Sequence, residues 1–233
     1  MAKYAFIVLC FIFSGHSYAL KPLTGVQDEW PPYFNAPSQP LGYAHQIVKD
    51  TLCLAGYALE THFLPWKRAY KSTLEAKSDV LLGVWKTPER EQDFLFSHPY
   101  YINQIKLISP KSAPIKYQDA QSLSEIRLGL VSGYAYGEAL KSKAGLNILA
   151  AKDVKENILY LTKQRADAIL MDEAVFSWNL KTMGLKLKDF YVSDLAVKRV
   201  PLHIAVSREH PLAEAIISHF NSALRSSSAC ETQ

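Results

Sequence analysis

One segment, residues 79–101 with the sequence DVLLGVWKTPEREQDFLFSHPYY, constrains the fold of this chain more than any other. Its first five residues form a short apolar run bounded by turn chemistry, which predicts a buried parallel strand rather than a helix. Thr87 followed by Pro88 then predicts a helix start, with the threonine hydroxyl as N-cap and proline at the first helical position. A buried strand that leads through a short turn into a helix predicts an α/β fold.

The alternation of strands and helices continues along the chain. Besides residues 79–83, we predict strands at residues 20–26, 57–63, 104–109, 127–131, 146–150, 167–171 and 202–206, and helices at residues 43–55, 66–76, from 136 onward, 154–164 and 211–224.

Pro110, Pro114 and the polar residues around them mark a boundary. We therefore predict two lobes. Residues 20–106 form the first part of lobe 1, residues 107–200 form lobe 2, and residues 201–233 return to lobe 1 and end in a helix packed on it. Because the chain crosses twice between the lobes, a hinge is expected.

The first 19 residues have the organisation of a secretory signal peptide. Lys3 precedes a wholly apolar run at residues 5–13, and a short segment ending in Ala19 supplies the cleavage site. The apolar run is shorter than the about 20 residues that a bilayer-spanning helix needs. We therefore predict cleavage after Ala19 and export of a soluble protein to the periplasm.

Composition and motifs exclude several classes of function. The formal net charge is only +4, and the Lys and Arg residues are scattered among Asp and Glu, so the basic stripe of a nucleic-acid-binding protein is absent. The sequence has no His-Glu-x-x-His, Cys-x-x-Cys, phosphate-binding loop or dinucleotide glycine fingerprint. We predict no metal, no cofactor and no nucleic-acid partner.

Two cysteines remain after signal removal, Cys53 and Cys230. Cys53 lies on the polar face of the predicted helix at residues 43–55, together with Gln46, Lys49 and Asp50, so it is not simple core filler. In an oxidising compartment a Cys53–Cys230 disulfide is favoured over two free thiols, although both remain open.

Arg90 lies in the first turn of a helix that begins at the carboxyl end of a strand. Free backbone N–H groups and the positive end of the helix dipole favour an anion there, and the planar guanidinium matches a carboxylate in bidentate fashion. This placement indicates a carboxylate ligand. The alternative, equally open from the geometry, is that Arg90 pairs with Glu89, Glu91 or Asp93 on a solvated helix.

Other candidate binding residues also follow predicted strands. They are Trp30 and Tyr33 in a proline-rich loop, Trp66, Trp85, the glycine turn at Gly133 and Tyr134, and Asp172. Open parallel sheets bind ligands outside the carboxyl ends of their strands, so one crevice can collect these groups, with Asp172 facing a cation. The alternatives are that the aromatic rings cap the core and that Asp172 is an ordinary N-cap, although one carboxylate can fill both roles at once.

Three segments carry a resemblance to a known family. They are TPER followed by Phe-x-Phe-Ser-x-Pro-Tyr-Tyr, LGLVSGYAYGEAL at residues 128–140, and QRADAILMDEAVF at residues 164–176. Together they resemble the extracellular solute-binding proteins of polar amino-acid ABC transporters, solute-binding family 3. The resemblance implies a two-lobed, type II periplasmic-binding-protein-like fold, a monomer, and a membrane permease as partner.

The resemblance also implies roles for individual residues. Arg90, in the motif that Thr87 begins, holds the carboxylate of a small solute, Asp172 holds its ammonium, and an aromatic side chain from the loop at Trp30 and Tyr33 stacks on it. The chain departs from the family where Trp85 replaces a small hydroxyl residue and where Tyr134 follows the glycine turn. These departures favour a larger or flatter solute than a simple polar amino acid.

Two alternatives share the same fold. Cyclohexadienyl dehydratases resemble these binding proteins and use a carboxylic acid in the cleft, for which Glu173 is the candidate, since burial would raise its pKa into the working range. A periplasmic sensing module that reports to a signalling receptor would use the same site as a transport protein. The sequence identifies neither the solute nor the protein that receives it.

Overall fold

The computed structural model describes residues 20–136 and 145–230, with side chains up to residue 226. The predicted signal peptide and the helix predicted from residue 136 onward therefore lie outside the described residues. The described helices are α1 (Tyr43–Leu54), α2 (Trp66–Leu74), α3 (Pro88–Asp93), α4 (Val154–Thr162), α5 (Glu173–Thr182) and α6 (Ala213–Cys230). None of them is long and apolar enough to cross a bilayer.

The strands form one mixed sheet within the described residues. They are β1 (Lys21–Gln27), β2 (Tyr57–Phe63), β3 (Val80–Trp85), β4 (Phe94–Phe96), β5 (Tyr101–Pro110), β6 (Arg127–Val131), β7 (Asn147–Ala151), β8 (Ala168–Asp172) and β9 (Phe190–Ser207). Their order is β2-β1-β3-β9-β5-β8-β6-β7, and β4 pairs with β9.

Two parallel groups of strands flank a central antiparallel pair. We call β2, β1 and β3 the first half-sheet and β8, β6 and β7 the second half-sheet; neighbouring strands within each group run parallel. The long strands β5 and β9 pair antiparallel to each other and join the two groups. The α/β class and the two predicted crossings are confirmed, because β5 and β9 are those crossings.

The crossing strands are longer than the sequence predicts. Only residues 202–206 of β9 are predicted as strand, whereas the strand begins at Phe190. Its first part alternates polar, charged and half-buried residues rather than forming an apolar run, so its extended state comes from pairing with β5. The predicted lobe boundaries at 106/107 and 200/201 fall inside β5 and β9, and they remain predictions.

The core continues through both half-sheets. Every residue of β3 and of β8 is buried, as expected for parallel strands covered on both faces. The core cluster includes Leu82 from the first half-sheet, Ile169 from the second, and Phe220 from the closing helix α6. That helix packs against α1.

The predicted Cys53–Cys230 disulfide is not supported. Cys53 is a free, exposed thiol near the end of α1, on the polar face that the sequence indicates. The side chain of Cys230 lies outside the described side chains. Cys53 can therefore lie on the solvent-facing side of α1 without a covalent partner.

Candidate functional site

A cavity of 520 Å³ lies at the carboxyl ends of strands from both half-sheets. Its size falls within the range of about 300–1,000 Å³ typical of small-molecule sites. We call this cavity the cleft. Its lining residues come from β1, β3 and β6, from the segments after β1, β6 and β7, and from α2, α3, α4 and α5: Gln27, Asp28, Glu29, Trp30, Pro31, Trp66, Gly83, Trp85, Arg90, Val131, Ser132, Gly133, Tyr134, Ala135, Lys152, Asp153, Val154, Lys155, Val175, Trp178, Asn179 and Thr182.

Arg90 reaches the cleft because of the helix start that follows β3. Thr87 is the N-cap of α3, and its hydroxyl accepts a hydrogen bond from the Arg90 backbone N–H at 3.3 Å. The Arg90 Nη1 donates to the backbone carbonyl of Trp85 at 2.7 Å. The guanidinium lies 5.3 Å from the centroid of the Trp66 ring, a cation–π distance. The side chain is thus held in one orientation by neutral groups.

Two of the three alternative partners proposed for Arg90 are engaged with other groups, whereas the third, Glu89, is close enough for its charge to act on Arg90. Glu91 pairs with Lys86 at 2.6 Å, and Asp93 accepts from the Tyr70 hydroxyl at 3.4 Å. Burial lowers the pKa of the Arg90 guanidinium from its ordinary value. The side chain nevertheless stays charged, because arginine is not deprotonated in proteins. A desolvated positive charge therefore lines the cleft.

Aromatic rings from opposite sides meet in the cleft. Trp30 and Trp85, next to the first half-sheet, contact each other edge to face at 5.7 Å between ring centroids. Tyr134, which follows β6 of the second half-sheet, lies 6.2 Å from Trp30 and 5.4 Å from Trp85. Of the predicted site residues, Arg90, Trp30, Trp66, Trp85, Gly133 and Tyr134 line the cleft.

Thr87, Tyr33 and Asp172 are not among the cleft-lining residues. Asp172 is only 2% exposed and is the N-cap of α5, accepting from the backbone N–H groups of Ala174 and Val175 at 3.0 and 3.2 Å. Its Oδ1 also accepts from the Tyr33 hydroxyl at 2.8 Å. The structure therefore gives Asp172 the capping role that the sequence left as the alternative.

Asp28 is a cleft residue that sequence reasoning missed. It is half-buried, and the Gln27 side-chain amide donates to its Oδ1 at 2.9 Å. Burial raises the pKa of the Asp28 carboxyl to about 6. Because Asp28 follows β1 directly, the strand-end rule that indicated Trp85 could have found it.

The second half-sheet also supplies residues that the sequence analysis did not single out. Lys152 and Lys155 follow β7, on either side of Asp153, the N-cap of α4. Trp178 projects from α5 to the same cavity. With Asp28 and Arg90 on the other side, both signs of charge line the cleft.

Glu173 does not fit the role required of it by the dehydratase alternative. It is exposed in the first turn of α5 and is not among the cleft-lining residues. The expectation of a buried general acid at this position is wrong, because the adjacent Asp172 side chain, and not Glu173, turns into the protein. Among the described residues no cluster of three or more His, Cys, Asp or Glu could hold a metal ion.

Comparison with known proteins identifies the class to which this architecture is similar. The model of the bacterial extracellular solute-binding proteins, family 3, matches residues 23–228. An L-glutamate/L-aspartate-binding protein of Pseudomonas aeruginosa is 27% identical over 152 residues, covering 60% of this chain and half the length of that relative. The arginine-binding extracellular protein ArtP of Bacillus subtilis is 21% identical over 210 residues, covering 88% of this chain and 80% of ArtP.

Solved structures share the fold at low sequence identity. Holo ArgBP from T. maritima superposes with a TM-score of 0.71 at 20% identity, covering 90% of this chain and 91% of that chain. The GluR0 ligand-binding core in complex with L-glutamate gives 0.73 at 20% identity, covering 93% and 97%. A histidine kinase sensor domain with similarity to periplasmic binding proteins gives 0.76 at 15% identity, covering 92% and 94%. The predicted type II periplasmic-binding-protein-like fold is confirmed.

Proposed function

The chain belongs to the bacterial extracellular solute-binding proteins of family 3, and from this membership we propose that it captures a small carboxylate-bearing solute, an amino acid or a related compound, in the cleft. The observation that carries the proposal is the position of Arg90. Its guanidinium lines the cavity and is held by two uncharged groups, the Trp85 carbonyl and the Trp66 ring.

A partly buried charge whose hydrogen bond goes to a neutral carbonyl favours binding of an anion from solution. The planar fork of arginine can donate two parallel hydrogen bonds to a carboxylate, an arrangement about twice as strong as neutral hydrogen bonds. The aromatic walls exclude water, which strengthens this interaction further. A solute carboxylate at Arg90 therefore supplies a charge-assisted hydrogen-bonding partner for the guanidinium.

Asp28 supports a solute that also bears a positive charge. Its carboxyl lines the same cleft and accepts a hydrogen bond from the neutral side-chain amide of Gln27. The names of the relatives fit this charge pattern, because glutamate, aspartate and arginine all combine carboxylate and ammonium groups. The flat walls formed by Trp30, Trp85 and Tyr134 favour a planar or extended solute over a compact one.

We propose ABC-type uptake through a membrane permease as the fate of the bound solute, and the periplasm as the compartment. The family is extracellular, which supports export. A sensor protein is the alternative recipient, since a histidine kinase sensor domain has the same fold. Co-purification from membranes with a permease rather than with a sensor protein would decide between the two destinations.

Thermal unfolding against a panel of amino acids, dicarboxylates, aromatic acids and prephenate tests the function. A solute at a hundred times its Kd stabilises the protein by about 2.7 kcal/mol, which raises Tm by about 5–10 °C for a chain of this size. We expect Arg90→Ala to abolish the shift and Arg199→Ala, at an exposed position on β9, to retain it. Equal shifts in both variants would refute the assignment of Arg90.

The same samples separate binding from catalysis. NMR spectra recorded over hours should show that a stabilising solute persists unchanged at stoichiometric protein. Consumption of prephenate would instead favour the dehydratase alternative, for which Glu173 has lost its structural support.

A further inference from the structure

We infer that the Tyr33 hydroxyl takes the hydrogen-bonding position at Asp172 where a solute ammonium was expected. As a consequence, the cleft recognises a carboxylate without recognising an α-amino group. The inference rests on the proposed function and narrows its solute class. The solutes that fit are carboxylic acids with a cationic group carried away from the α-carbon, or with none.

The carboxylate of Asp172 has no acceptor capacity left. It accepts five hydrogen bonds, whereas an ionised carboxylate offers about four lone-pair sites. The donors to Oδ1 are the Tyr33 hydroxyl at 2.8 Å and the backbone N–H groups of Ala174 and Val175 at 3.0 and 3.2 Å, and the donors to Oδ2 are the Asn103 amide at 3.1 Å and the Gln104 backbone N–H at 3.2 Å. An arriving ammonium must displace one of them.

Tyr33 is not free to move aside. It is 1% exposed, and its ring packs against Trp30 at 4.9 Å and Tyr101 at 5.2 Å between centroids. Its backbone carbonyl accepts from the N–H of His45 in α1 at 3.1 Å. Burial, and next to it the charge of Asp172, raises the pKa of Tyr33. The phenol therefore stays protonated and donates permanently to Asp172.

A second hydrogen-bonded link fixes the same carboxylate to the cleft wall. Asn103, in the crossing strand β5, donates to Asp172 and accepts from the indole N–H of Trp85 at 2.9 Å. Tyr33, Asp172, Asn103 and Trp85 thus form one chain of hydrogen bonds between the two half-sheets. Opening Asp172 to a ligand would break this chain at a buried position, where unpaired polar groups are costly.

Two charged side chains of opposite sign, Asp28 and Arg90, lie on the same side of the cleft. Asp28 follows β1 and Arg90 follows β3, and these are neighbouring strands of the first half-sheet. A solute whose carboxylate meets Arg90 and whose cationic group meets Asp28 satisfies both. An ω-guanidino or ω-amino carboxylic acid has this pattern whether or not it carries an α-amino group.

Calorimetric titration of matched solute pairs tests the inference. The pairs are L-arginine with 5-guanidinopentanoate, and L-glutamate with glutarate, each differing only by the α-amino group. We expect the two Kd values within a binding pair to agree within about threefold. That difference corresponds to less than half the free energy of a charge-assisted hydrogen bond. Asp172→Asn should leave the ratio of the two Kd values unchanged. A preference of about tenfold or more for the amino acid, lost in Asp172→Asn, would overturn the inference.

A second measurement needs no ligand. Tyr33→Phe removes the hydroxyl donor from Asp172 and should lower Tm by about 3–10 °C, whereas Tyr43→Phe, at a 61% exposed ring, should not. Equal melting temperatures for the two variants would overturn the inference. If none of the four probes binds, the proposed function fails for this solute class. The Tyr33→Phe result still decides whether the Tyr33 hydroxyl donates a stabilising hydrogen bond to Asp172.

Discussion

Arg90 and Asp28 are charged side chains that folding has partly removed from water. Burial acts on the two in opposite senses, lowering the pKa of Arg90 and raising that of Asp28. In both cases the fold disfavours the charged form that a solute would recognise. We therefore expect the ligand-free protein to be less stable than one with neutral groups at these positions.

Asp28→Asn should stabilise the ligand-free protein at pH 7. The pKa of the Asp28 carboxyl rises from 3.8 to about 6 on folding, so the native state binds more protons than the unfolded state between these values and stability falls as pH rises through this window. Above pH 6 the ionised carboxylate destabilises the fold by up to about 3 kcal/mol. Urea unfolding should show this gain for Asp28→Asn at pH 7 and little gain at pH 3.5.

The neighbouring Glu29 provides the control for this change. It also lines the cleft, but its side chain is exposed. Glu29→Gln should leave the unfolding midpoint nearly unchanged at both pH values. A gain for Asp28→Asn that is equal at pH 3.5 and pH 7 would show that the carboxyl is not perturbed by burial.

The same titration makes cation recognition depend on pH. Below pH 6 the Asp28 carboxyl becomes protonated and loses the charge that attracts a solute cation. For a cationic solute such as 5-guanidinopentanoate, the affinity should fall by about tenfold per pH unit below the pKa. Titrations at pH 5, 6 and 7 should show this loss in the wild type and a flat profile in Asp28→Asn.

At the scale of elements, the loop between β1 and α1 caps the helix with its own backbone. The N-cap Gly42 makes no side-chain capping bond, and the carbonyls of Pro32 and Tyr33 accept from the N–H groups of Tyr43 and His45 at 3.0 and 3.1 Å. A Cβ on Gly42 would overlap both carbonyl oxygens. The glycine is required by this close approach, which also positions Trp30 and Tyr33.

Gly42→Ala should therefore destabilise the protein and weaken solute binding together. Overpacking against backbone that cannot rotate away costs about 1–3 kcal/mol, and relief of the overlap moves the loop that carries the cleft wall. Chemical unfolding and calorimetric titration should both register the change. Ser38→Ala, at an exposed position of the same loop, should affect neither. If Gly42→Ala binds the solute with wild-type affinity, the position of this loop does not determine the geometry of the cleft wall.

Elements with strong local signals were predictable from the sequence, and elements defined by their neighbours were not. Strand β2 occupies residues 57–63 as predicted, because apolar and β-forming residues lie between turn signals. The first part of β9 has no such signal and is extended because β5 runs beside it. The three-residue strand β4 exists only through its pairing with β9.

The site shows the same division. Strand ends indicated Arg90, Trp85 and Tyr134 because position alone brings such residues to one edge of the sheet. The partner of Asp172 was not predictable, since Tyr33 is 139 residues away and no local pattern pairs them. Strand-end position identifies candidates, whereas the direction in which a side chain points depends on contacts distant in sequence.

At the scale of the whole molecule, the two half-sheets are joined by the crossing strands and by contacts across the cleft. The β5–β9 pairing shifts register around Lys106, whose buried ammonium donates to the carbonyls of Ser193 and Asp194 at 3.1 and 2.7 Å. Irregular pairing at this position leaves fewer regular ladder bonds to resist bending. Domain closure around a ligand commonly uses such connections between lobes as its hinge.

The distribution of tryptophan offers a direct measurement of closure. The chain contains four tryptophans, and all of them, Trp30, Trp66, Trp85 and Trp178, line the cleft. Trp30 and Trp85 are already buried, whereas Trp66 on α2 and Trp178 on α5 are half-buried beside opposite half-sheets. Because no tryptophan lies elsewhere in the sequence, fluorescence excited selectively from tryptophan reports on the cleft.

A solute that closes the cleft should shield Trp66 and Trp178 from an aqueous quencher. Titration with acrylamide should give a smaller quenching slope in the presence of a solute that raises Tm, and either Trp66→Phe or Trp178→Phe should lessen that difference. Tyr134→Ala removes the ring that contacts Trp30 and Trp85 across the cleft, so it should raise the slope of the ligand-free protein. An unchanged slope with a stabilising solute would mean that the solute binds without closing the two half-sheets, and the hinge at β5 and β9 would then have no part in capture.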